Sequence, residues 1–437
     1  MTKPRRIALI SEHASPLATP GGVDSGGQNV YVAQLARQLA AMGHEVDVLT
    51  RRDAPHLPEV VAWAEGLRVV HVPAGPASAV RKEDLLPHMG EFAAWTLRHA
   101  RGRPYDLVHA NFFMSAHVAA EIKRAAGTPF VVTFHALGRV RRLHQGASDG
   151  FPEARLAIED RAVAEADRII AECPQDLDDL ARLYRADPAR IATIPCGFDP
   201  AEFWPVAKAR ARAALGLDPD APLILQLGRM VPRKGVDNVI RGLARLRQLH
   251  GIAATLLVVG GDSAEPDPAI TPEIGRLLAI AAEEGVADAV TFVGGRGRDA
   301  LRHYYAAADV FVTTPWYEPF GITPVEAMAC GTPVVGSAVG GIKATVVDGE
   351  TGYLVPPDDP GALAGRLARL LRHPELLRLF GRQAHRRAND RYTWRRVARA
   401  VDQVYDEVAN GRARPAHARA ARALGPPDAD RRGWTAP

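Results

Sequence analysis

The chain has 437 residues, which at about 100–200 residues per domain predicts two or three domains. Its 47% hydrophobic and 24% charged residues are typical of a globular protein and exclude disorder over most of the chain, and no apolar run reaches the about 18 residues of a membrane-spanning helix. The net charge is +4, and six arginines against two aspartates between 411 and 437 account for this whole excess, so the neutral remainder does not predict a nucleic-acid-binding protein.

Strand and helix patterns alternate from the first residues onward. The apolar stretch Ile7–Ile10 is too short for a signal peptide and predicts a first strand over 6–11. A Gly-rich loop follows, then a helix over 28–42 with apolar residues at helical spacing. Further strands are predicted at 45–50, 67–72, 106–110, 130–134, 168–171 and 191–194. This alternation predicts a parallel sheet with helices on both faces.

Pro and Gly cluster between Pro195 and Pro205, which predicts a linker. A second series follows, with strands at 223–227, 256–259, 290–293, 310–313 and 333–335 and closing helices at 374–389 and 393–408. We therefore expect an α/β protein of two doubly wound, Rossmann-like domains that face a cleft, over 1–200 and 201–410, and a basic disordered tail over 411–437. The last helix is expected to pack back on the first domain. Ligands of such sheets bind where strands end, so the loops after strands are the candidate site.

The Gly-rich loop over 21–29 is the first candidate. Its glycines let the backbone approach a ligand closely, and the helix that follows offers free N–H groups to an anion. The spacing is not G-x-G-x-x-G, and no P-loop motif occurs, so neither a nicotinamide cofactor nor a P-loop ATPase is predicted. A flexible loop with a helix cap is the alternative interpretation.

The segment 228–235, between a strand and a helix, is the second candidate. Arg229 provides a planar fork of donors and Lys234 a compact charge, and the two can converge on one diphosphate. The alternative is a solvated basic turn.

The third candidate carries two glutamates, Glu318 and Glu326, after the strand at 310–313. Thr323 can be a helix N-cap, and Glu326 three residues later would complete a capping box, so Glu326 either caps its helix or binds a ligand. The N–H groups of Gly321, Ile322 and Thr323 favour a phosphate at the helix N-terminus. Glu318 has no capping role, and a carboxylate beside a phosphate can accept hydrogen bonds from sugar hydroxyls.

His135 ends the strand at 130–134, where either a structural or a catalytic role fits. His13 and His109 lie at the same predicted edge, which leaves a metal site open, but no ligand spacing supports one and we expect no metal. The three cysteines are far apart and predict reduced thiols in a cytoplasmic protein.

Taken together, these motifs resemble the retaining glycosyltransferases of the two-domain GT-B fold over about residues 5–410. The resemblance is carried by Glu318-x7-Glu326, by Gly228-Arg-x4-Lys-Gly235, by the Gly-rich loop and by His135. Within that family the chain is most similar to the branch of the sucrose-phosphate synthases and of the mycothiol-pathway enzyme that glycosylates inositol 3-phosphate. The segments similar to both are His13-Ala-Ser-Pro-Leu and Asp24-Ser-Gly-Gly-Gln-Asn-Val-Tyr31.

The resemblance implies transfer of a hexosyl group from a nucleoside-diphosphate sugar, with UDP favoured as the nucleotide. The implied donor residues are Gly26, Gly27, Arg229, Lys234, Gly295, Arg296, Glu318, Gly321, Ile322, Thr323 and Glu326. Glu326 would bind the ribose and Glu318 the sugar, while Arg229 and Lys234 would hold the diphosphate. The implied catalytic groups are Glu318, Arg229, Lys234 and His135. His135 would lie beside the sugar. No protein nucleophile or cofactor is implied, because the leaving phosphate can take the acceptor proton on the same face.

The resemblance also implies a phosphorylated sugar or polyol as acceptor. The implied acceptor residues are His13, Asp24, Asn29, Lys82 and Arg155, of which the last two would grip the phosphate. Phe112 and Ala136 replace a Tyr and a Thr that the inositol-phosphate enzyme would have. The sucrose-phosphate pattern would have Ser at position 136 and basic residues after it, and this chain has Arg139, Arg141 and Arg142 there.

The sequence leaves three alternative functions open. A nucleotide-sugar epimerase of the same fold would release free nucleotide, a membrane-surface glycosyltransferase would use a lipid acceptor, and a non-catalytic protein would only bind the nucleotide sugar. A lipid acceptor predicts a basic amphipathic helix with apolar anchors in the first domain, which the sequence does not contain. We expect small-molecule substrates, no nucleic-acid partner and no integral membrane association, and predict no oligomeric state.

Overall fold

An eight-stranded sheet organises the first half of the chain in the computed structural model, which describes residues 3–18, 26–146 and 149–411. Its strands are β1 (Arg6–Ile10), β2 (Glu45–Arg51), β3 (Val60–Ala64), β4 (Leu67–Val72), β5 (Leu107–Asn111), β6 (Phe130–Thr133), β7 (Arg168–Ala171) and β8 (Ile191–Thr193). They run in the order β3-β4-β2-β1-β5-β6-β7-β8, and every neighbouring pair is parallel except β3 with β4. All five residues of β1 are buried, as expected for a strand covered on both faces.

Six helices cover this sheet. They are α1 (Gly27–Ala41), α2 (Met89–His99), α3 (Phe113–Ala126), α4 (Gly138–Gln145), α5 (Ala154–Glu165) and α6 (Pro174–Tyr184). The antiparallel edge strand β3 was not predicted, because its residues alternate between exposed and half-buried positions and form no continuous buried run.

A second sheet of six parallel strands forms the other half. Its strands are β9 (Leu223–Leu227), β10 (Thr255–Val259), β11 (Val290–Gly294), β12 (Val310–Thr313), β13 (Val334–Ser337) and β14 (Gly352–Val355), in the order β11-β10-β9-β12-β13-β14. Its helices are α7 (Lys208–Ala214), α8 (Val236–His250), α9 (Pro272–Glu283), α10 (Arg298–Ala307), α11 (Ile322–Ala329), α12 (Ile342–Thr345) and α13 (Pro360–Leu371). The final strand β14 was also missed from the sequence.

Two long helices, α14 (Pro374–Arg391) and α15 (Trp394–Ala409), close the described chain. The second of them returns to the first sheet, where the Tyr405 hydroxyl lies 2.7 Å from His109 Nδ1 and Glu407 forms a 2.7 Å ion pair with Arg168. The last helix therefore contributes to the packing of the first half of the chain as well as following the second.

These two sheets confirm the predicted fold class of two doubly wound parallel-sheet domains that face a cleft. None of the described helices combines the length and hydropathy needed to cross a bilayer. Asp24 and the basic segment 412–437 lie outside the described residues, so the predictions made for them stay predictions.

Candidate active site

A pocket of about 320 Å³ lies in the cleft, and loops that follow strands of both sheets line it. All eleven predicted donor residues line this pocket, together with four predicted residues of the first domain, His13, Asn29, Lys82 and His135. Residues separated by up to about 300 positions in sequence therefore meet in one cavity, because the carboxyl ends of parallel strands share one edge of each sheet.

Glu318 lies at the centre of a group of cations. Its carboxylate accepts a hydrogen bond from Lys234 Nζ and lies 3.7 Å from Arg233 Nη1. Burial raises the pKa of Glu318, but Lys234, Arg233 and Arg229 together lower it further, so the net shift is downward and the carboxylate is ionised. Three positive charges around one negative charge leave a surplus that suits a diphosphate.

Lys234 is largely buried, with a side chain 17% exposed. Burial lowers the pKa of Lys234, the Glu318 carboxylate raises it, and Arg233 and Arg229 lower it again, so the net shift is downward. A second negative charge in the pocket would oppose these effects and stabilise the ammonium. The site is thus arranged to favour an additional anion.

The loop that carries Glu318 is held from both domains. Gln145 of α4 donates to the Tyr317 hydroxyl at 2.8 Å, and the His144 ring stacks on Tyr317 with centroids 4.9 Å apart. On the other side, a Cβ at Gly340 would lie 1.8 Å from the Glu318 carbonyl oxygen, so only glycine allows this approach. These contacts fix the position of Glu318 across the cleft.

Glu326 is buried in α11 and contacts α10. The Tyr305 hydroxyl donates to Glu326 Oε2 at 3.0 Å, and Arg298 Nη2 lies 3.0 Å from Oε1. Arg298 also forms a 2.6 Å ion pair with Glu202. Although Oε1 is close to Arg298, it meets no donor in hydrogen-bond geometry among the described residues, so it retains capacity to accept from a ligand.

The capping box at Thr323, which was the alternative to a ligand-binding role for Glu326, does not form. The helix α11 begins at Ile322, its N-cap is Gly321 at φ +87°, and no side chain caps it. Glu326 instead faces α10, because the tertiary contacts to Arg298 and Tyr305 bind its carboxylate. The uncapped N-terminus of α11 faces the pocket with free backbone N–H groups.

Asn29 holds the end of the Gly-rich loop. Its Oδ1 accepts from the Gly26 N–H at 2.9 Å, and its Nδ2 donates to the Ser15 carbonyl at 2.9 Å. A Cβ at Gly26 would lie 3.4 Å from Arg229 Cδ, so the loop of the first domain abuts the cation cluster of the second. Both polar ends of Asn29 therefore contact backbone groups, and the side chain fixes the position of Gly26.

Arg155, predicted to bind the acceptor, does not line the pocket, and this part of the prediction is corrected. It is 1% exposed and forms a 2.7 Å ion pair with Glu159. The rings of Phe112, Phe113 and Phe151 lie 4.6–4.9 Å from its guanidinium carbon. Cation–π packing on three rings and a buried carboxylate keep this arginine below the pocket. Lys82, by contrast, lines the pocket from a short 3₁₀ turn over Lys82–Asp84.

Two predicted residues occupy the rims of the pocket. Arg296 donates to the Gly295 carbonyl at 2.8 Å and to the Tyr304 hydroxyl at 3.2 Å. His13 Nδ1 lies 2.7 Å from Glu12 Oε1 on the opposite wall. Among the described residues, no group of three or more His, Cys, Asp or Glu side chains is placed to hold a metal ion.

Sequence reasoning missed several residues of this pocket. Arg233 lies next to the predicted Lys234, and Arg298 lies two positions after the predicted Arg296. The signal for both was a second positive charge in a loop already predicted to bind the donor. Glu172 also lines the pocket, and its only signal was its position after a predicted strand. None of these belongs to a motif whose spacing alone indicates a function.

Comparisons with known proteins agree with this geometry. The family model described as Glycosyl transferases group 1 matches residues 207–387, and that of Glycosyltransferase Family 4 matches residues 25–202. D-inositol 3-phosphate glycosyltransferase 2 of Catenulispora acidiphila is 40% identical over 92% of this chain and 95% of its own length. D-inositol 3-phosphate glycosyltransferase of Actinosynnema mirum is 39% identical over 92% and 97%. Sucrose-phosphate synthase from Thermosynechococcus elongatus superposes with a TM-score of 0.86 at 35% identity, over 93% of this chain and all of that one.

Proposed function

Because the chain belongs to the group 1 glycosyl transferases, we propose that it moves a hexosyl group from a nucleoside-diphosphate sugar, with a UDP-sugar favoured, to a phosphorylated sugar or polyol. The anomeric configuration is retained. The protein acts on small molecules, and we place it in the cytoplasm on the strength of its free cysteines.

One observation carries the proposal for the donor. Arg229, Arg233 and Lys234 surround Glu318 beside the uncapped N-terminus of α11, and all of them line one pocket. The cations and the backbone N–H groups bind the diphosphate, and Glu318 accepts hydrogen bonds from the sugar. Glu326 Oε1, which meets no donor in hydrogen-bond geometry among the described residues, accepts from the ribose.

The acceptor proposal draws on two supports. Lys82 lines the pocket from the first domain, whereas the donor cations line it from the second, and the Lys82 ammonium can bind a phosphate. The relatives are named for D-inositol 3-phosphate and for sucrose phosphate, and each name contains a phosphorylated small molecule. A phosphorylated acceptor therefore fits both the charge of the pocket and the relatives.

In this mechanism the leaving diphosphate takes the acceptor proton as the new bond forms on the same face of the sugar. The pocket lowers the barrier by holding the two substrates together and by stabilising charge that develops on the diphosphate. Glu318 is already paired with Lys234, so its role is to bind the sugar and to hold that cation in place.

A donor and acceptor screen tests the proposal. The purified protein is incubated with UDP-, GDP- and ADP-sugars and with fructose 6-phosphate, inositol 3-phosphate or no acceptor, and the products are identified by mass spectrometry. We expect a phosphorylated disaccharide or glycoside whose anomeric proton coupling in NMR matches that of the donor. Release of free nucleotide and an epimerised sugar without an acceptor would instead identify an epimerase, and transfer to lipid extracts alone would identify a lipid acceptor.

Donor binding is expected to be independent of a divalent metal. The positive charge needed by a diphosphate comes from Arg229, Arg233 and Lys234, and no metal-like cluster occurs among the described residues. Calorimetric titration with UDP should therefore give the same affinity with and without a chelator. Loss of all binding in the chelator would disprove this.

Lys82→Ala is expected to raise the acceptor KM about 10–150-fold, because a charge-assisted hydrogen bond contributes about 1.5–3 kcal/mol, and to leave the donor KM unchanged. Arg81→Ala is the matched control, since Arg81 is exposed and does not line the pocket.

Arg155→Ala should act on the fold instead, lowering stability by about 3–5 kcal/mol because it leaves Glu159 buried without its cation. Steady-state kinetics and thermal unfolding separate these outcomes, and equal use of phosphorylated and dephosphorylated acceptors by the wild type would refute a phosphate site.

A further inference from the structure

A buried polar cluster surrounds His135 at the ends of β5, β6 and β7, and the proposed mechanism assigns no step to it. Glu172 Oε1 lies 3.1 Å from His135 Nδ1, and Asn111 Oδ1 lies 3.1 Å from His135 Nε2. Asn111 is fully buried and Glu172 is 4% exposed. The cluster borders the pocket through His135 and Glu172.

The contacts of Asn111 determine which way its amide points. Its Nδ2 lies 3.2 Å from the Ile10 carbonyl and 3.3 Å from the His109 carbonyl, and both are acceptors. The nitrogen must therefore face these carbonyls, and the oxygen faces His135. His135 Nε2 consequently donates, while its Nδ1 faces a carboxylate, so both hydrogen bonds are satisfied only when both ring nitrogens carry a proton.

Glu172 supplies the negative charge that this cation requires. The Cys196 thiol donates to Glu172 Oε1 at 2.9 Å, which favours the ionised carboxylate. Burial raises the pKa of Glu172, but His135 and the hydrogen bonds from His135 and Cys196 lower it further, and the net shift is downward. An ionised Glu172 places a negative charge 3.1 Å from His135 Nδ1, which favours a proton on that nitrogen.

The other titratable groups around the pair stay neutral or lie across the cleft. Tyr31, whose ring is 4.8 Å from that of His135, has a pKa raised by burial. Burial, with a smaller effect from His135, lowers the pKa of His109 to about 3, and burial raises that of Asp176, which accepts from the Glu172 N–H at 3.2 Å. Glu318 is the charged neighbour from the second domain.

The backbone at His135 also needs to be held. Its φ is +57°, and the Ala136 N–H donates to the Phe134 carbonyl at 2.6 Å, which closes a three-residue turn around His135. Such γ-turns with positive φ are rare and strained. Hydrogen bonds from both ring nitrogens to acceptors at the ends of two neighbouring strands restrain the side chain in this turn.

We propose that Glu172 is a positioning residue that, together with Asn111, holds His135 as a doubly protonated imidazolium on the wall of the pocket. His135 then has no lone pair with which to accept a proton, and it contributes a fixed positive charge instead. The catalytic meaning of this charge rests on the proposed function, because it would act on the donor diphosphate and sugar. The protonation state itself does not depend on that function.

Nitrogen NMR of the protein labelled with ¹⁵N-histidine tests the protonation state without any substrate. The His135 signals are assigned by their absence from His135→Gln. We expect both ring nitrogens to be protonated at pH 7.5, where a free histidine is mostly neutral. A neutral ring with one bare nitrogen at that pH would overturn the proposal, whatever the enzyme is found to transfer.

Glu172→Gln identifies the group responsible. Without the carboxylate, Nδ1 has no anion to donate to, so a smaller fraction of His135 should carry both protons at pH 7.5, and the alkaline limb of the kcat–pH profile should move to lower pH. Glu121→Gln is the matched control, because it makes the same change at a side chain of α3 that is 40% exposed, and both quantities should stay unchanged. An unchanged His135 titration in Glu172→Gln would overturn the proposal. If that variant does not fold, the wild-type spectrum decides, and Glu172→Asp should preserve the doubly protonated ring.

Discussion

A Lys234→Met variant is expected to turn over about 10²–10³-fold more slowly than the wild type, the loss typical when one preorganised donor to a developing negative charge is removed. Lys234 is largely buried beside Glu318 and lines the pocket, where its ammonium can contact the diphosphate. Methionine keeps the length and the apolar part of the side chain. The effect should therefore fall on kcat, with a smaller effect on the affinity for UDP.

Lys343→Met serves as the matched control, since Lys343 is exposed on α12 of the same domain and should retain full activity. Glu318→Gln is also expected to lower kcat, because it removes the partner of Lys234 and an acceptor for the sugar. The two residues contact each other, so the double variant should lose less than the product of the single losses. Steady-state kinetics of all four proteins test this, and a kcat of Lys234→Met within about threefold of the wild type would contradict the assigned role.

Glu326→Gln is expected to weaken UDP binding about 10–150-fold, which corresponds to the about 1.5–3 kcal/mol of a hydrogen bond to a charged group. The amide keeps the volume of the side chain and can still accept from Tyr305, and Arg298 keeps its ion pair with Glu202, so the fold should survive. The measurement is calorimetric titration with UDP, with thermal unfolding of the same samples.

Thr323→Ala is the control for this variant, because the structure gives Thr323 no capping role. Both UDP affinity and stability should match the wild type. If Glu326 acted only on its helix, Glu326→Gln would lower stability by about 1 kcal/mol and leave UDP affinity unchanged. That result would remove Glu326 from the nucleotide site.

The positions of the predicted site residues followed from the sequence wherever a loop comes directly after a buried strand. β1, β9 and β12 are short apolar runs buried along their whole length, which is the pattern of a parallel strand covered on both faces. Because parallel strands end at a common edge, the loops with Arg229 and Glu318 could be expected to lie together. The edge strand β3 lacks this pattern, since it is partly exposed.

The sequence by itself thus determined the two-sheet fold and which loops carry the predicted residues of the pocket, because strand burial and parallel connections are local properties repeated along the chain. The tertiary structure alone decided the role of Glu326, since the same three-residue spacing from Thr323 suits a cap, and only Arg298 and Tyr305 draw the carboxylate away. It also decided the place of Arg155. Whether an arginine faces a ligand or a protein interior depends on side chains brought from other segments, and here the rings of three phenylalanines and Glu159 enclose it.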